Sequence, residues 1–307
     1  MKAFLLAFSC SLAAFGSELP GPASFVYILQ ADAFAKTKPA AVERLAACGR
    51  DWLVLDARFS EDRSWEPADL DAIRSGKPGR KVVAYLSIGE AEDYRPYWRK
   101  EWGSQGNLTS AAPSWLGVEN SEWKGNYRVK YWRTEWQKLM LNAVDKAMKS
   151  GFDGVYLDIV DGFETFEKEG DDFIDNRVNP ETKQSYRRDM VDWVKSIARH
   201  ARRNNSTALV IPQNSSQLLT HGDFLEAISA IGIEDLFTDG NKLQPRSHSR
   251  EVIGYLKKMT SAHKPVLLIE YPKSPECKAL SKKLAQENQC VWLITDRQLK
   301  TLGESGR

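Results

Sequence analysis

Short apolar runs alternate along this chain with longer stretches whose apolar positions recur every three or four residues. Eight runs read as strands: 25–29, 52–56, 81–87, 153–158, 208–213, 228–233, 265–270 and 290–295. They are rich in Val, Ile and Leu and nearly continuous, as expected of parallel strands covered on both faces. Helical periodicity fills most of the intervals. The run "KPAAVERLAACG" has Pro near its start and Gly at its end. The run "RTEWQKLMLNAVDKAMKSG" opens on Thr134 as an expected cap and closes on Gly151. "PETKQSYRRDMVDWVKSIARHARRN", "SREVIGYLKKMTSAH" and "SPECKALSKKLAQEN" are the remaining amphipathic stretches.

Strand followed by helix, eight times within 307 residues, predicts an α/β fold of the (β/α)8 TIM-barrel type in a single domain. The competing architecture, an open doubly wound sheet, calls for a glycine-rich first turn, and "LQADAFAKTKP" is not one. Two connections are longer than usual, 88–133 after the third strand and 159–179 after the fourth. Both leave the C-terminal ends of strands, the face on which barrels build their sites.

Side chains alternate along a strand, so parity assigns faces. If Val155 and Leu157 point to the helices, Tyr156 and Asp158 point into the barrel. The same rule turns Val54 and Asp56 inward on the second strand, Gly232 and Glu234 on the sixth, and Leu268 and Glu270 on the seventh. Four strands are therefore expected to end in an inward acid, with Glu90 and Asp161 just beyond two strand ends. For one such acid alone, pairing with an arginine or capping a loop is as good an account as catalysis. Several carboxylates converging on one cleft drive their pKa values apart, which an acid/base or acid/nucleophile pair requires.

Composition narrows the function classes. Hydrophobic residues make up 42% and charged residues 27%, an ordinary soluble balance. A formal net charge of +2, with no basic run, gives no argument for nucleic acid or an anionic membrane. The opening "MKAFLLAFSCSLAAFGSE" has one Lys, an apolar run and small residues. It reads as a secretory signal peptide over 1–16, leaving a mature 17–307 domain in the periplasm or the medium, with no membrane partner. Three cysteines remain, Cys48, Cys277 and Cys290, too few for a disulfide framework. Cys277 and Cys290 bracket one helix and lie too far apart to bond, so at least two buried free thiols are expected.

Six of the ten tryptophans fall between 98 and 136, together with Tyr94, Tyr97, Tyr127 and Tyr131. They would either stack on sugar rings or form a small satellite core that orders the long connection. Trp132 and Trp136 fit packing better than contact. The histidines, His200, His221, His248 and His263, end no strand and have no ligand spacing, so neither a metal nor another cofactor is expected. No G-x-S-x-G elbow is present.

The segments "VVAYLSIGEAEDYRPYW" (82–98), "WLGVENSEWKGNYRVKYW" (115–132) and "GFDGVYLDIVDGFE" (151–164) resemble glycoside hydrolase family 114, the endo-α-1,4-polygalactosaminidases, and more closely their bacterial and archaeal branch. The resemblance runs from about Tyr27 to Thr295. It implies a TIM-type barrel cleaving an α-1,4-linked, galactosamine-rich exopolysaccharide. It carries the fourth-strand catalytic Asp onto Asp158 and the second acid, a Glu ending strand six, onto Glu234, with Glu270 as the fallback. The expected mechanism makes Asp158 the nucleophile or ion-pair stabiliser and Glu234 the general acid and then base, with retention favoured. Asp56, Glu90 and Asp161 are expected to bind sugar hydroxyls or ammonium groups, with Tyr85, Tyr156, Gln213 and Asn214 as hydrogen-bond partners. The competing reading is a non-catalytic polysaccharide-binding protein on the same barrel.

Overall fold

The structure, a computed structural model, describes residues 21–307 apart from 171 and 204. The expected signal peptide lies outside the described residues. Eight strands run in parallel order: β1 (Phe25–Ile28), β2 (Trp52–Asp56), β3 (Lys81–Ser87), β4 (Gly154–Asp158), β5 (Leu209–Pro212), β6 (Ile231–Glu234), β7 (Val266–Glu270) and β8 (Val291–Ile294). β1 to β5 form one continuous arc, and β6 to β8 a second. The arcs meet where Gln213 bridges Gly232, and the Ser229 N–H donates to the Val210 carbonyl at 2.8 Å.

The other seam is closed differently from a regular repeat. No helix follows β8 among the described residues. The chain returns as a ninth strand, β9 (Glu304–Gly306), antiparallel to β8. The Ser305 hydroxyl accepts from the Phe25 N–H of β1 at 2.9 Å, and the Leu299 carbonyl accepts from the Leu29 N–H at 2.9 Å. The tail thus occupies the gap between last strand and first, satisfying edge groups that an open sheet would leave exposed.

Among the described residues, seven helices longer than four residues cover the outside: α1 (Lys38–Ala47), α2 (Pro67–Ser75), α3 (Thr134–Ser150), α4 (Tyr186–Arg202), α5 (Gly222–Ala227), α6 (Arg246–Ser261) and α7 (Pro275–Glu287). Side-chain oxygens of Thr37, Ser185 and Ser274 accept from backbone N–H groups in the first turns of α1, α4 and α7. Thr134 is not a cap; it is the first residue of α3, and Arg133 precedes it without a side-chain cap bond.

Strand alternation separates an inner core from the outward-facing packing. Tyr27, Val54, Val83, Tyr85, Tyr156, Ile211, Leu267 and Ile269 fill the barrel interior. Val155, Leu157, Ile231, Ile233 and Leu268 pack outward against helices. The faces expected for β2, β4 and β6 are those observed. β7 is the reverse of expectation: Leu267 and Ile269 point inward, and Leu268 and Glu270 outward. Every residue of β7 before Glu270 is apolar, so alternation carries no polar mark when both faces are buried.

The 88–133 connection folds into a three-stranded antiparallel sheet of Glu90–Glu92, Asn126–Val129 and Leu116–Glu119. Its aromatics pack mostly on each other. Ring centroids lie 5.4 Å apart for Trp98 and Trp102, 5.4 Å for Trp102 and Trp115, and 5.1 Å for Trp115 and Trp136. This is the satellite core, each pair adding about 0.5–1.5 kcal/mol beyond burial. Trp123 and Tyr94 are the exceptions, at 53% and 40% exposure. The three described cysteines are free, but only Cys290 is buried; Cys48 and Cys277 are half-buried, so two buried thiols are not found among the described residues.

Candidate active site

Three strands end in the same backbone device. Ile159 (φ 55°), Asn214 (φ 57°) and Asp235 (φ 51°) are left-handed residues at or just past the tips of β4, β5 and β6. Asn and Asp tolerate that region through local side-chain bonding. A β-branched isoleucine does not, and costs about 1–2 kcal/mol there. The turn at Ile159 is held from several sides. Its N–H donates to Asp158 Oδ1 at 2.8 Å, and the Asp158 carbonyl accepts from the Ile88 N–H at 3.0 Å. Gly89 makes room: a Cβ there would stand 2.1 Å from the Ile159 carbonyl oxygen. The strained turn therefore aims the carboxylate of Asp158.

Asp158 and Glu234 are both half-buried at the barrel mouth. Tyr85 donates to Asp158 Oδ2 at 2.7 Å. Gln213 Nε2 donates to Glu234 Oε2 at 2.8 Å, and the Tyr271 hydroxyl donates to Oε1. Gln213 is itself oriented by Tyr27, whose hydroxyl donates to Oε1 of the amide at 3.2 Å. Asn214 Oδ1 accepts from the Glu234 N–H at 2.9 Å, while the Asn214 N–H donates to the Gly232 carbonyl at 2.9 Å. Gly232 is required because Tyr156 crosses above it; a Cβ would lie 1.8 Å from the Tyr156 hydroxyl oxygen.

Electrostatics separate the two acids. Burial pushes Glu234 up to about 7, and the Asp158 charge adds to that push. Asp158 is raised by burial, opposed by the donors Tyr85 and Ile159 N–H. Asp161 is pushed well above the usual carboxylate range by burial, then by the charges of Asp158, Glu164 and Glu234. Burial also raises Glu90, with the Asp158 charge adding to it; one Glu90 oxygen accepts from Asn120 at 2.9 Å and the other has no partner. The acids at the barrel mouth thus feel one another's charge, and Asp161 makes no ion pair among the described residues.

Several expected roles change. Glu270 is fully buried and faces the helices, where it accepts from the Phe237 N–H at 2.7 Å, the Thr238 N–H at 3.0 Å and the Thr238 hydroxyl. It anchors the loop after β6 and cannot touch a substrate. Asp56 is not a free sugar ligand: Arg95 grips both its oxygens, at 2.8 and 2.7 Å, and also bonds Glu92 Oε2 at 2.6 Å. Tyr156 is wholly buried, and its hydroxyl has no partner. Tyr85, Gln213 and Asn214 spend their polar groups on the two acids. Glu90 and Asp161 remain as ligand candidates.

Sequence reasoning misses Tyr271, Arg95 and Glu92. Tyr271 follows Glu270 and takes the inward place that parity gives to its neighbour. Arg95 leaves a signal in "EAEDYRPYW", a lone cation among acids and aromatics.

The sequence model of Glycoside-hydrolase family GH114 matches residues 58–306. An uncharacterized protein of Methanocaldococcus jannaschii is 36% identical over 69% of this chain, and the chain spans 57% of that relative's length. Among solved structures, the glycoside hydrolase domain of PelA from Pseudomonas aeruginosa superposes with a TM-score of 0.64 at 18% identity, over 93% of this chain and 99% of that one. Aspergillus fumigatus Ega3, solved as a complex with galactosamine, gives 0.61 at 19% identity, over 84% of this chain and 88% of that one. At these identities the two structures share the fold.

Proposed function

The chain belongs to glycoside hydrolase family GH114, and from that premise we propose that it is a secreted hydrolase of α-1,4-linked, galactosamine-rich polysaccharide, with residues 1–16 as the leader. The observation that carries the reading is the pair Asp158 and Glu234. Both sit on strand tips at the mouth, each held by two donors. Glu234, poised at about 7, is the general acid that protonates the leaving oxygen and then the base that activates water. Asp158, whose hydrogen bonds favour its charged form, is the nucleophile of a retaining mechanism.

The charge at the barrel mouth supports an amino sugar. Asp161 and Glu90 are acids raised by burial and by neighbouring carboxylates; the Arg128 charge opposes the shift at Glu90, and neither acid makes an ion pair among the described residues. A ligand ammonium favours their ionised forms; a neutral hexose does not. No described helix is long and apolar enough to cross a membrane.

The test is a panel of partially deacetylated galactosaminan, glucosaminan and neutral glucans, scored by new reducing ends. Release from the galactosaminan alone is expected, abolished in Asp158→Asn and Glu234→Gln. Retained affinity with no release over days overturns hydrolysis in favour of a binding protein.

A further inference from the structure

Glu234 is surrounded by groups to which the two-carboxylate mechanism gives no role. Tyr271, one residue past β7, turns inward and donates its hydroxyl to Glu234 Oε1. The guanidinium of Arg297, from the loop after β8, lies 4.2 Å from the centroid of the Tyr271 ring. The same guanidinium grips Asp235, the residue after Glu234, at 2.6 and 3.1 Å. The Asp235 N–H in turn donates to the Ile269 carbonyl of β7 at 3.0 Å.

We infer that Tyr271 is a positioning residue for Glu234 and that Arg297 holds it in that role by clamping the tips of β6 and β7 together. The inference rests on the reading of Glu234 as the general acid. A carboxylate has about four lone-pair positions. Tyr271 and Gln213 each take one, on different oxygens, which fixes the carboxyl plane. The proton Glu234 delivers is then left to the positions facing the cleft. Arg297 is suited to the clamp because one planar group can stack on an aromatic face and pair with a carboxylate at its edge. Its loop is anchored in turn: the Thr295 N–H donates to the Glu270 carbonyl at 3.1 Å, and the Leu299 carbonyl accepts from the N–H of Leu29, just past β1.

The ionisable groups facing Glu234 come from every surrounding strand: Tyr27 from β1, Tyr156, Asp158 and Asp161 from β4 and its loop, Asp235 beside it, Tyr271 from β7, and Arg297 from the loop after β8. The neutral Gln213 faces it from β5. Among these, Tyr271 and Arg297 favour the charged form of Glu234, against burial and the like charges. Removing either therefore moves its titration upward.

The experiment compares wild type with Tyr271→Phe, Arg297→Lys and Arg297→Ala, reading kcat, KM, pH profile and thermal midpoint. It also follows the Glu234 carboxyl titration by carbon NMR of glutamate-labelled protein, assigned with Glu234→Gln. Tyr271→Phe is expected to lower kcat about tenfold with KM changed less than about twofold, and to move the basic limb and the titration up by roughly one to two pH units, the size of one hydrogen bond to a charged group. Arg297→Ala should do the same more weakly, and Arg297→Lys should recover the pH shift better than kcat. If Tyr271→Phe moves only the thermal midpoint, the inference is overturned. If wild type releases no reducing ends but the titration still moves, the hydrolase reading fails and the positioning stands. If wild type hydrolyses the polymer but the titration stays put in Tyr271→Phe, the hydrolase reading stands and the positioning role fails.

Discussion

Tyr85 donates its hydroxyl to Asp158 Oδ2 at 2.7 Å, from a neighbouring strand whose Ser87, not Tyr85, is the register partner of Asp158. The phenol reaches along the barrel axis to meet the acid at the tip of β4. Asp158→Asn keeps an acceptor for this hydroxyl and should leave the thermal midpoint near wild type. Turnover should fall by roughly 10³–10⁴. Melting curves and reducing-end assays on one preparation check both; a large loss of stability instead makes Asp158 an anchor.

The basic limb of kcat/KM is expected near pH 7, because Glu234 must carry its proton to act as an acid and burial sets its pKa at about 7. A profile flat from pH 6 to 9 contradicts that role.

Stability carries the same signature. Glu234 is raised above its ordinary 4.5, so the folded state binds more protons than the unfolded one between those values. Its contribution is present below about pH 4.5 and is lost as pH rises through about 7. Glu234→Gln should thus gain stability relative to wild type between pH 5 and pH 8, by about 1–3 kcal/mol. Denaturant midpoints at the two pH values measure it; a difference that does not change with pH refutes the shift.

Glu270→Ala should behave as a folding mutation. It orphans the buried Phe237 and Thr238 N–H groups and the Thr238 hydroxyl. The expected loss is about 2–4 kcal/mol, read as a lowered midpoint. The folded fraction should keep the wild-type pH profile. Unchanged stability with lost turnover would return Glu270 to the catalytic pair.

Arg95→Leu should leave Asp56 and Glu92 as uncompensated buried charges. A loss of about 3–5 kcal/mol is expected. Asp56→Asn in the same chain should recover part of it, and a double-mutant cycle gives the coupling.

Much of the site is readable because polar residues interrupt an apolar alternation. In "GVYLD" and "AIGIE", Tyr156, Gly232 and the terminal acids mark the inner face, and the barrel interior contains them. In "VLLIE" nothing marks either face, so parity puts Glu270 on the wrong side and passes over Tyr271. The aromatic cluster poses a similar ambiguity: tryptophans that could stack on sugars pack on each other, leaving Trp123 exposed.

The order and type of the elements, the strand tips that bear acids and the family to which the chain belongs are properties of the sequence alone, because local periodicity and motif spacing encode them. Which acids stay free was decided in three dimensions. Arg95 lies 39 positions from Asp56, and Tyr271 lies 37 from Glu234. Pairing across such separations depends on how neighbouring strands twist and turn at their ends, and a chain records that only when it is folded.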